Sequence, residues 1–287
     1  MRYKLIFNYI LILNTLTAVT INIPADYSTI QEGIDAAIDG DIIMISQGTY
    51  YENLIINKEI TLTSSIAVEE LEEDWYNNIT IKETIINGSV LSDPRKRSCL
   101  IIRDGNIQPT IQGLTFEAGV GTAMLVGAGC SSGLPERSGG GILIYDAYPT
   151  INFNRFIGNG ISSDNERGRK GSRHGGAIAH YEDAEVEFDE DRNSAPVANN
   201  SNVERTVPGT MDIQNNYFEN NSSGNGQDFY SQGYVAMMWA SSGGWERASA
   251  DAHLHDKARL CMPTWRYRSH GRFPRRNACF RVASSHI

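Results

Sequence analysis

Gly139–Phe156, GGGILIYDAYPTINFNRF, is echoed on both sides of itself. Pro109-Thr110-Ile111 followed by Phe116 has the spacing of Pro149-Thr150-Ile151 followed by Phe156, and Ile213 followed by Phe218 repeats it. The first half has its own echo: Ile142–Tyr145 after three glycines matches Ile178–Tyr181 after Gly175-Gly176. Each copy runs from a short apolar strand through a turn into a second strand, and then into an Asn/Gly/Ser-rich loop. Self-similarity on this scale signals stacked units that bury their apolar residues against one another. Ile111, Ile151 and Ile213 are therefore expected to stack, as are Phe116, Phe156 and Phe218. Nine residues from Ile142 to Ile151 and sixteen from Ile213 to Phe229 set the shortest lap at about 25 residues. Longer intervals hold insertions, at 118–138, 158–174 and the acidic, Asn-rich stretch 182–208.

Upstream, Ser28 with Gln31 forms a capping-box pattern, and Ile30, Ile34 and Ile38 recur at helical spacing, which predicts a short amphipathic helix over 28–38. Strands are predicted at Ile42–Ile45, Leu54–Ile56, Ile60–Thr63, Ile79–Ile81, Thr84–Ile86 and Leu100–Ile102. Turns separate them at Gln47-Gly48-Thr49, Asn57-Lys58-Glu59 and Asn87-Gly88. The acidic stretch Val68–Trp75 is expected to be a surface loop. Short strands without intervening helices predict an all-β solenoid with coils in parallel register. Its open end would expose strand edges, and the helix at 28–38 is placed to cap it. The Asn-rich turns suit ladders of bonded side chains and left-handed backbone.

The chain has 287 residues, 40% of them hydrophobic, and a net charge of −9, which argues against nucleic acid as a partner. Residues 1–20 read as a secretory signal: Arg2 and Lys4 precede the apolar run Leu5–Leu16, and small residues follow around Thr17, Ala18 and Thr20. The expected location is extracytoplasmic, secreted or at the cell surface, with no transmembrane span after signal removal. Cys99, Cys130, Cys261 and Cys279 do not have the spacing of a small stapled scaffold, so packing should dominate stability. From residue 233 the composition shifts: nine Lys or Arg stand against three acids, and Asn277 is the one asparagine. The expected organisation is a repeat domain over 21–232 and an atypical basic tail over 233–287, read as an out-of-frame or otherwise abnormal end. His253, His255, Cys261, His270 and Cys279 match no strong zinc-ligand spacing.

Ile23–Leu62 (IPADYSTIQEGIDAAIDGDIIMISQGTYYENLIINKEITL), with its Gly48-Thr49-Tyr50 turn and Glu52, resembles the N-terminal cap and first coils of the right-handed parallel β-helix family, the pectin-lyase-like superfamily. Gly139–Gly160 and Asp212–Gly226 (DIQNNYFENNSSGNG) resemble its repeated coils. The resemblance covers about residues 22–232 and implies a right-handed parallel β-helix, exported and of bacterial style. It does not specify an activity, because the family holds lyases, hydrolases, esterases, tailspikes and adhesins.

Hydrolases of the family pair aspartates with a His-Gly and a later Arg-x-Lys. Here His174-Gly175 is the one approach to that pattern, behind Arg169-Lys170 and Arg173, and no adjacent Asp-Asp pair exists. A lyase of the family would need carboxylates to hold calcium and an Arg base. Asp104, Asp146 and Asp183 each follow the first strand of their copy, so stacking would align them along one edge as a calcium site, with Arg103 and Arg155 as neighbours. The structural alternative is that aspartate stands there because the chain turns. Arg155, Arg173 and His174 are the catalytic candidates. Tyr145, Tyr148 and Tyr181, with Trp75 and Tyr76, are candidates for a sugar-stacking surface. The leading expectation is a polysaccharide-binding or adhesive module for a glycan partner. The alternatives are a calcium-dependent pectate-lyase-like enzyme and a structural spacer.

Overall fold

A computed structural model describes residues 17–66, 71, 75–89, 97–103, 107–126, 136–161, 172–181, 197–198, 210–232, 236–241, 252–255, 259–263 and 277–281. Its runs of Ile, Leu, Val and Thr between Asn and Gly turns pair as short parallel strands. Strand β1 (Thr20–Ile23) leads to helix α1 (Ile30–Ala36). A first pass follows through β2 (Ile42–Ile45), β3 (Gly48–Tyr51) and β4 (Leu54–Ile56). The second comprises β5 (Thr61–Ser64), a short helix α2 (Ile79–Glu83), β6 (Thr84–Asn87) and β7 (Leu100–Ile102). The third has β8 (Thr110–Gln112), β9 (Thr115–Glu117), β10 (Thr122–Val126), β11 (Glu136–Ser138) and β12 (Ile142–Tyr145). The fourth has β13 (Thr150–Asn152), β14 (Arg155–Ile157), β15 (Ser172–His174) and β16 (Ile178–Tyr181), and the fifth β17 (Val197–Ala198), β18 (Thr210–Glu219), β19 (Ser223–Asn225) and β20 (Phe229–Gln232).

Each pass adds one strand to each of three parallel arrays. The first is β1-β2-β5-β8-β13-β18, the second β3-β6-β9-β14-β18, and the third β4-β7-β12-β16-β20. The long β18 belongs to the first two and joins them into one sheet. A further sheet, β17-β10-β11-β15-β19, takes β10, β11 and β15 from the segments at 118–138 and 158–174 that the sequence left as insertions, β17 from the insertion at 182–208, and β19 from the turn after β18. After residue 233, β21 (Ala236–Ser241), β22 (Ala252–His255) and β23 (Arg259–Pro263) pair in parallel with β18, β20 and β21 respectively. β24 (Asn277–Arg281) turns back antiparallel on β23.

The predicted stacks are in register. Ile151 pairs with Ile111 and Ile213, and Phe156 with Phe116 and Phe218. The three rings lie nearly parallel with centroids 5.2 Å apart. Ile142–Tyr145 pairs residue for residue with Ile178–Tyr181. Each fully buried Ile or Phe contributes roughly 1.5–3 kcal/mol of transfer free energy, so the stacks supply the core's stability.

Two asparagine ladders hold the turns beside these stacks. Asn154 Oδ1 accepts from Leu114 N at 3.1 Å and its Nδ2 donates to Ile111 O at 2.9 Å. Asn216 repeats both bonds one pass later, to Asn154 N and Ile151 O. Asn159 bonds Gly119 N and Phe116 O, and Asn221 bonds Asn159 N and Phe156 O in the same way. Between the ladders and the third array the backbones close up. Gly160 N donates to Gly119 O at 2.6 Å, and a Cβ at Gly119 would stand 1.9 Å from the Gly140 carbonyl oxygen. A Cβ at Gly140 would meet Gly176 O and Gly160 N at 2.3 and 2.4 Å, so the repeated glycines answer to close approach as well as to turning.

Local structure departs from expectation at several points. The first helix is Ile30–Ala36, capped one residue later than predicted: Thr29 Oγ1 accepts from Glu32 N, and Glu32 Oε2 accepts from Thr29 N. Ser28 is recruited as a donor to the same carboxylate. The expected turn at Gln47-Gly48-Thr49 yields to strand β3, because Gly48 and Thr49 pair with Thr84 and Ile85. Ile79–Ile81 is helical instead of extended, since Asn78 Oδ1 accepts from Thr80 N at 2.8 Å and caps the turn. In the acidic stretch Val68–Trp75, Leu71 and Trp75 are buried against Ile66 and Ile81 instead of lying at the surface.

His180 occupies the interior position that Ile56, Ile102 and Ile144 take on the preceding strands. Its Nδ1 bonds Ser231 Oγ at 3.0 Å, whereas its buried Nε2 has no hydrogen-bond partner. Burial lowers the imidazole from the ordinary 6.5 to about 3. The unfolded chain takes up a proton below its ordinary value that the folded chain refuses. Stability is therefore complete above that value and lost as pH falls toward the folded one, with a slope approaching about 1.4 kcal/mol per pH unit. Urea unfolding at pH 7 and pH 5 should show a larger acid loss in the native chain than in His180→Ile; equal losses would remove His180 from the interior. Asn159→Ala, which strands Gly119 N and Phe116 O, should cost about 3 kcal/mol in the same assay at pH 7.

Candidate functional site

Period-two alternation along the second array sends Tyr50, Ile86, Phe116, Phe156 and Phe218 toward the core and their neighbours outward. Tyr51 pairs with Asn87, Asn87 with Glu117, Glu117 with Ile157, and Ile157 with Glu219. These five outward residues form one straight row across β3, β6, β9, β14 and β18. At 4.7–4.9 Å per strand the row is about 19 Å long. Tyr51, at the β3 end, is 64% exposed, and the other four are partly exposed.

The parallel row, Thr115, Arg155 and Tyr217, is flanked by residues 75–83, which bury Thr115, leave Arg155 and Tyr217 partly exposed and form a rim beside the first. Thr115 Oγ1 donates to Ile81 O at 2.7 Å, and Arg155 Nη1 donates to Tyr76 O at 3.3 Å. Trp75 anchors the rim from below, buried edge-on against Phe153 at 6.0 Å. Tyr76, 37% exposed, crosses Tyr217 edge to face at 4.9 Å. The Arg155 guanidinium carbon lies 4.8 Å from the Tyr217 centroid and 5.5 Å from that of Tyr76, within cation–π range of both rings. Lys82 Nζ stands 5.9 Å from the Tyr76 ring. Tyr217 Oη donates to Glu219 Oε2 at 3.0 Å. Burial, aided by hydrogen bonding with Tyr76 and Glu219, pushes the Tyr217 phenol up to about 12, so it remains a donor at neutral pH.

The other predicted residues lie elsewhere. Tyr145 and Tyr181 belong to a buried apolar cluster with Ile101, Leu143, Ala179 and Tyr230 on the outer face of the third array. The β17-β10-β11-β15-β19 sheet roofs that face: Ser138 Oγ and Tyr181 Oη are 2.7 Å apart, and His174 on β15 packs 4.5 Å from Tyr230. Tyr148 is buried in the main core near His180. The exposed tyrosine face expected from sequence is thus, for Tyr145, Tyr148 and Tyr181, a set of packed rings. Their strands carry near-continuous apolar runs because both faces are covered. His174 is itself buried, and Arg173 shares its strand.

Asp146 sits in the turn after β12 with φ 55°, and its backbone N–H continues the ladder to Tyr181 O. A carboxamide or carboxylate side chain tolerates that left-handed backbone, which accounts for aspartate at this position. Asp104 and Asp183, its proposed calcium partners, lie outside the described residues. Among the described residues no group of three or more His, Cys, Asp and Glu side chains is placed to hold a metal ion. Arg155 stands on β14, Asp146 follows β12, and His174 lies on β15, three strands of three different sheets. No helix among the described residues is long and apolar enough to cross a membrane. Cys99 is a free, buried thiol pushed up to about 12 by burial, which makes it unreactive at neutral pH.

Of the residues expected from sequence, Tyr76 stands partly exposed at this face with Arg155 against it, whereas Trp75, expected on a sugar-stacking surface, is buried; Tyr51, Glu117, Tyr217 and Glu219 were not among the expected residues. The signal was present in the outward positions flanking the Phe stack. No family model, curated protein or solved structure matches the chain.

Arg155→Met removes two ring contacts and one hydrogen bond and should lower stability by about 1–2 kcal/mol in urea unfolding. Arg155→Lys should not restore it, because an ammonium lacks the planar fork that stacks and donates at once.

Proposed function

We propose that this chain is an exported right-handed parallel β-helix of the pectin-lyase-like kind that binds a polysaccharide or cell-surface glycan along the outward face of β3, β6, β9, β14 and β18. The observation that carries the reading is the straight row Tyr51, Asn87, Glu117, Ile157, Glu219, bordered by the rim at 75–83. A linear polymer of repeating rings suits such a face. Amide and carboxylate groups recur along it to bond hydroxyls, and aromatic rings stand at both ends to stack on apolar sugar faces.

In this reading each pass is a coil and α1 closes the first one. The features that support closure are specific. Glu52 accepts from Ile30 N and Gln31 N at the helix start, and Lys58 Nζ donates to the carbonyls of Ile34, Asp35 and Ala37 at its end. Both charges complement the helix dipole. The Gln31 amide donates to Ile55 O and accepts from Ile55 N, which occupies the open edge of β4. The basic and apolar residues 2–16 support export.

A glycan array probed with the full chain should return at least one bound polysaccharide without turnover. Tyr51→Ala and Glu117→Ala should each weaken binding by about 5- to 30-fold at unchanged melting temperature. Undiminished binding in both variants, or no glycan bound, overturns the reading. Release of unsaturated uronides would replace it with the lyase alternative.

A further inference from the structure

The β18 end of the row carries a charge arrangement that restricts the ligand. Arg155 and Glu219 stand on neighbouring strands, diagonal to each other, because Arg155 pairs with Tyr217 and Ile157 with Glu219. Each engages Tyr217: the guanidinium lies against its ring and the carboxylate accepts from its hydroxyl. The guanidinium has five N–H donors, and the Tyr76 carbonyl takes one. The site thus offers a fixed cationic donor and a fixed anionic acceptor on diagonal positions of neighbouring strands, about 7–8 Å apart at the backbone, with the partly exposed Tyr76 ring beside them.

An anionic ligand held by Arg155 would face the Glu219 carboxylate, and the Glu117 carboxylate further along the row. A cationic ligand would face Arg155 and Lys82. A neutral hydroxyl accepts from the guanidinium and donates to the carboxylate, so a pair of neighbouring hydroxyls satisfies both groups at no net charge. We infer that this end of the row is a subsite for a neutral hexopyranose residue. One apolar face of the sugar lies on Tyr76, and two adjacent hydroxyls are held between Arg155 and Glu219. The inference rests on the glycan-binding reading above and narrows its ligand to uncharged sugars.

The test is calorimetric titration of the full chain with neutral hexasaccharides of glucose, mannose and galactose, and with a galacturonate hexasaccharide. At least one neutral oligosaccharide should bind, with an affinity insensitive to salt, and the galacturonate should not. Glu219→Gln retains an acceptor for Tyr217 but loses the charge, and it should weaken neutral binding by at least about tenfold. Tyr76→Ala should weaken it comparably, with melting temperature as the folding control for both variants. Binding of galacturonate alone overturns the neutral subsite while leaving a glycan-binding face. Neutral binding untouched by both substitutions places the sugar elsewhere and also overturns the subsite. No binding to any of these sugars, combined with a blank glycan array, removes both proposals.

Discussion

Parallel stacking in strict register creates a difficulty at every turn: backbone N–H and C=O groups leave the strand ladder while still buried, and each must find a partner. The two asparagine ladders meet it. A carboxamide offers a donor and an acceptor from one short side chain, so Asn154 and Asn159 each bridge from their own turn to the one before. Asn216 and Asn221 then do the same for them. The Ile and Phe stacks supply the apolar gain, and the amide ladders keep the corners between them from forfeiting it. The Ile stack at 111, 151 and 213 and the Phe stack at 116, 156 and 218 could not both remain in register if the corner between them slipped.

The glycine-lined corner imposes the complementary constraint. Where Gly119, Gly140 and Gly176 follow one another, the backbones are too close for any Cβ. Strands β11 and β15 of the further sheet cover the outer face of the third array. That face is consequently lined by Leu143, Tyr145, Ala179, Tyr181 and Tyr230 in place of polar residues. The second array has a different cover, the short rim at 75–83, which partly covers one outward row and leaves the next open. Partial cover is what gives this face a border, and the Arg155 stack on Tyr76 and Tyr217 holds that border in place.

Legibility followed from whether a residue's role was local or periodic. The stacks at Ile151 and Phe156 could be read because each repeats at fixed spacing, and the sequence also placed asparagine at the turns. The capping box was read one residue early because Ser28 and Thr29 are both competent caps, and the distinction depends on which neighbour adopts extended backbone. Ile79–Ile81 was read as a strand on β-branched composition, whereas a single Asn78 hydrogen bond turned it helical. Of the candidate site, Arg155 and Tyr76 are chemically suitable types in the sequence, and their contact has no sequence signal at a separation of 79 residues.

By itself the sequence determined the repeating unit, the parallel strand class and the identity of the core stacks, because these follow from hydrophobic period and turn chemistry within each copy. Only the tertiary structure decided which tyrosines are packed and which face solvent, since that depends on where the insertions fold back. It likewise decided that His180 lies in the core, and that Arg155, Tyr217 and Glu219 meet a rim drawn from an earlier pass. Register converts positions far apart in the chain into neighbours one strand apart, and the covering segments determine which of those neighbours remain open to a ligand.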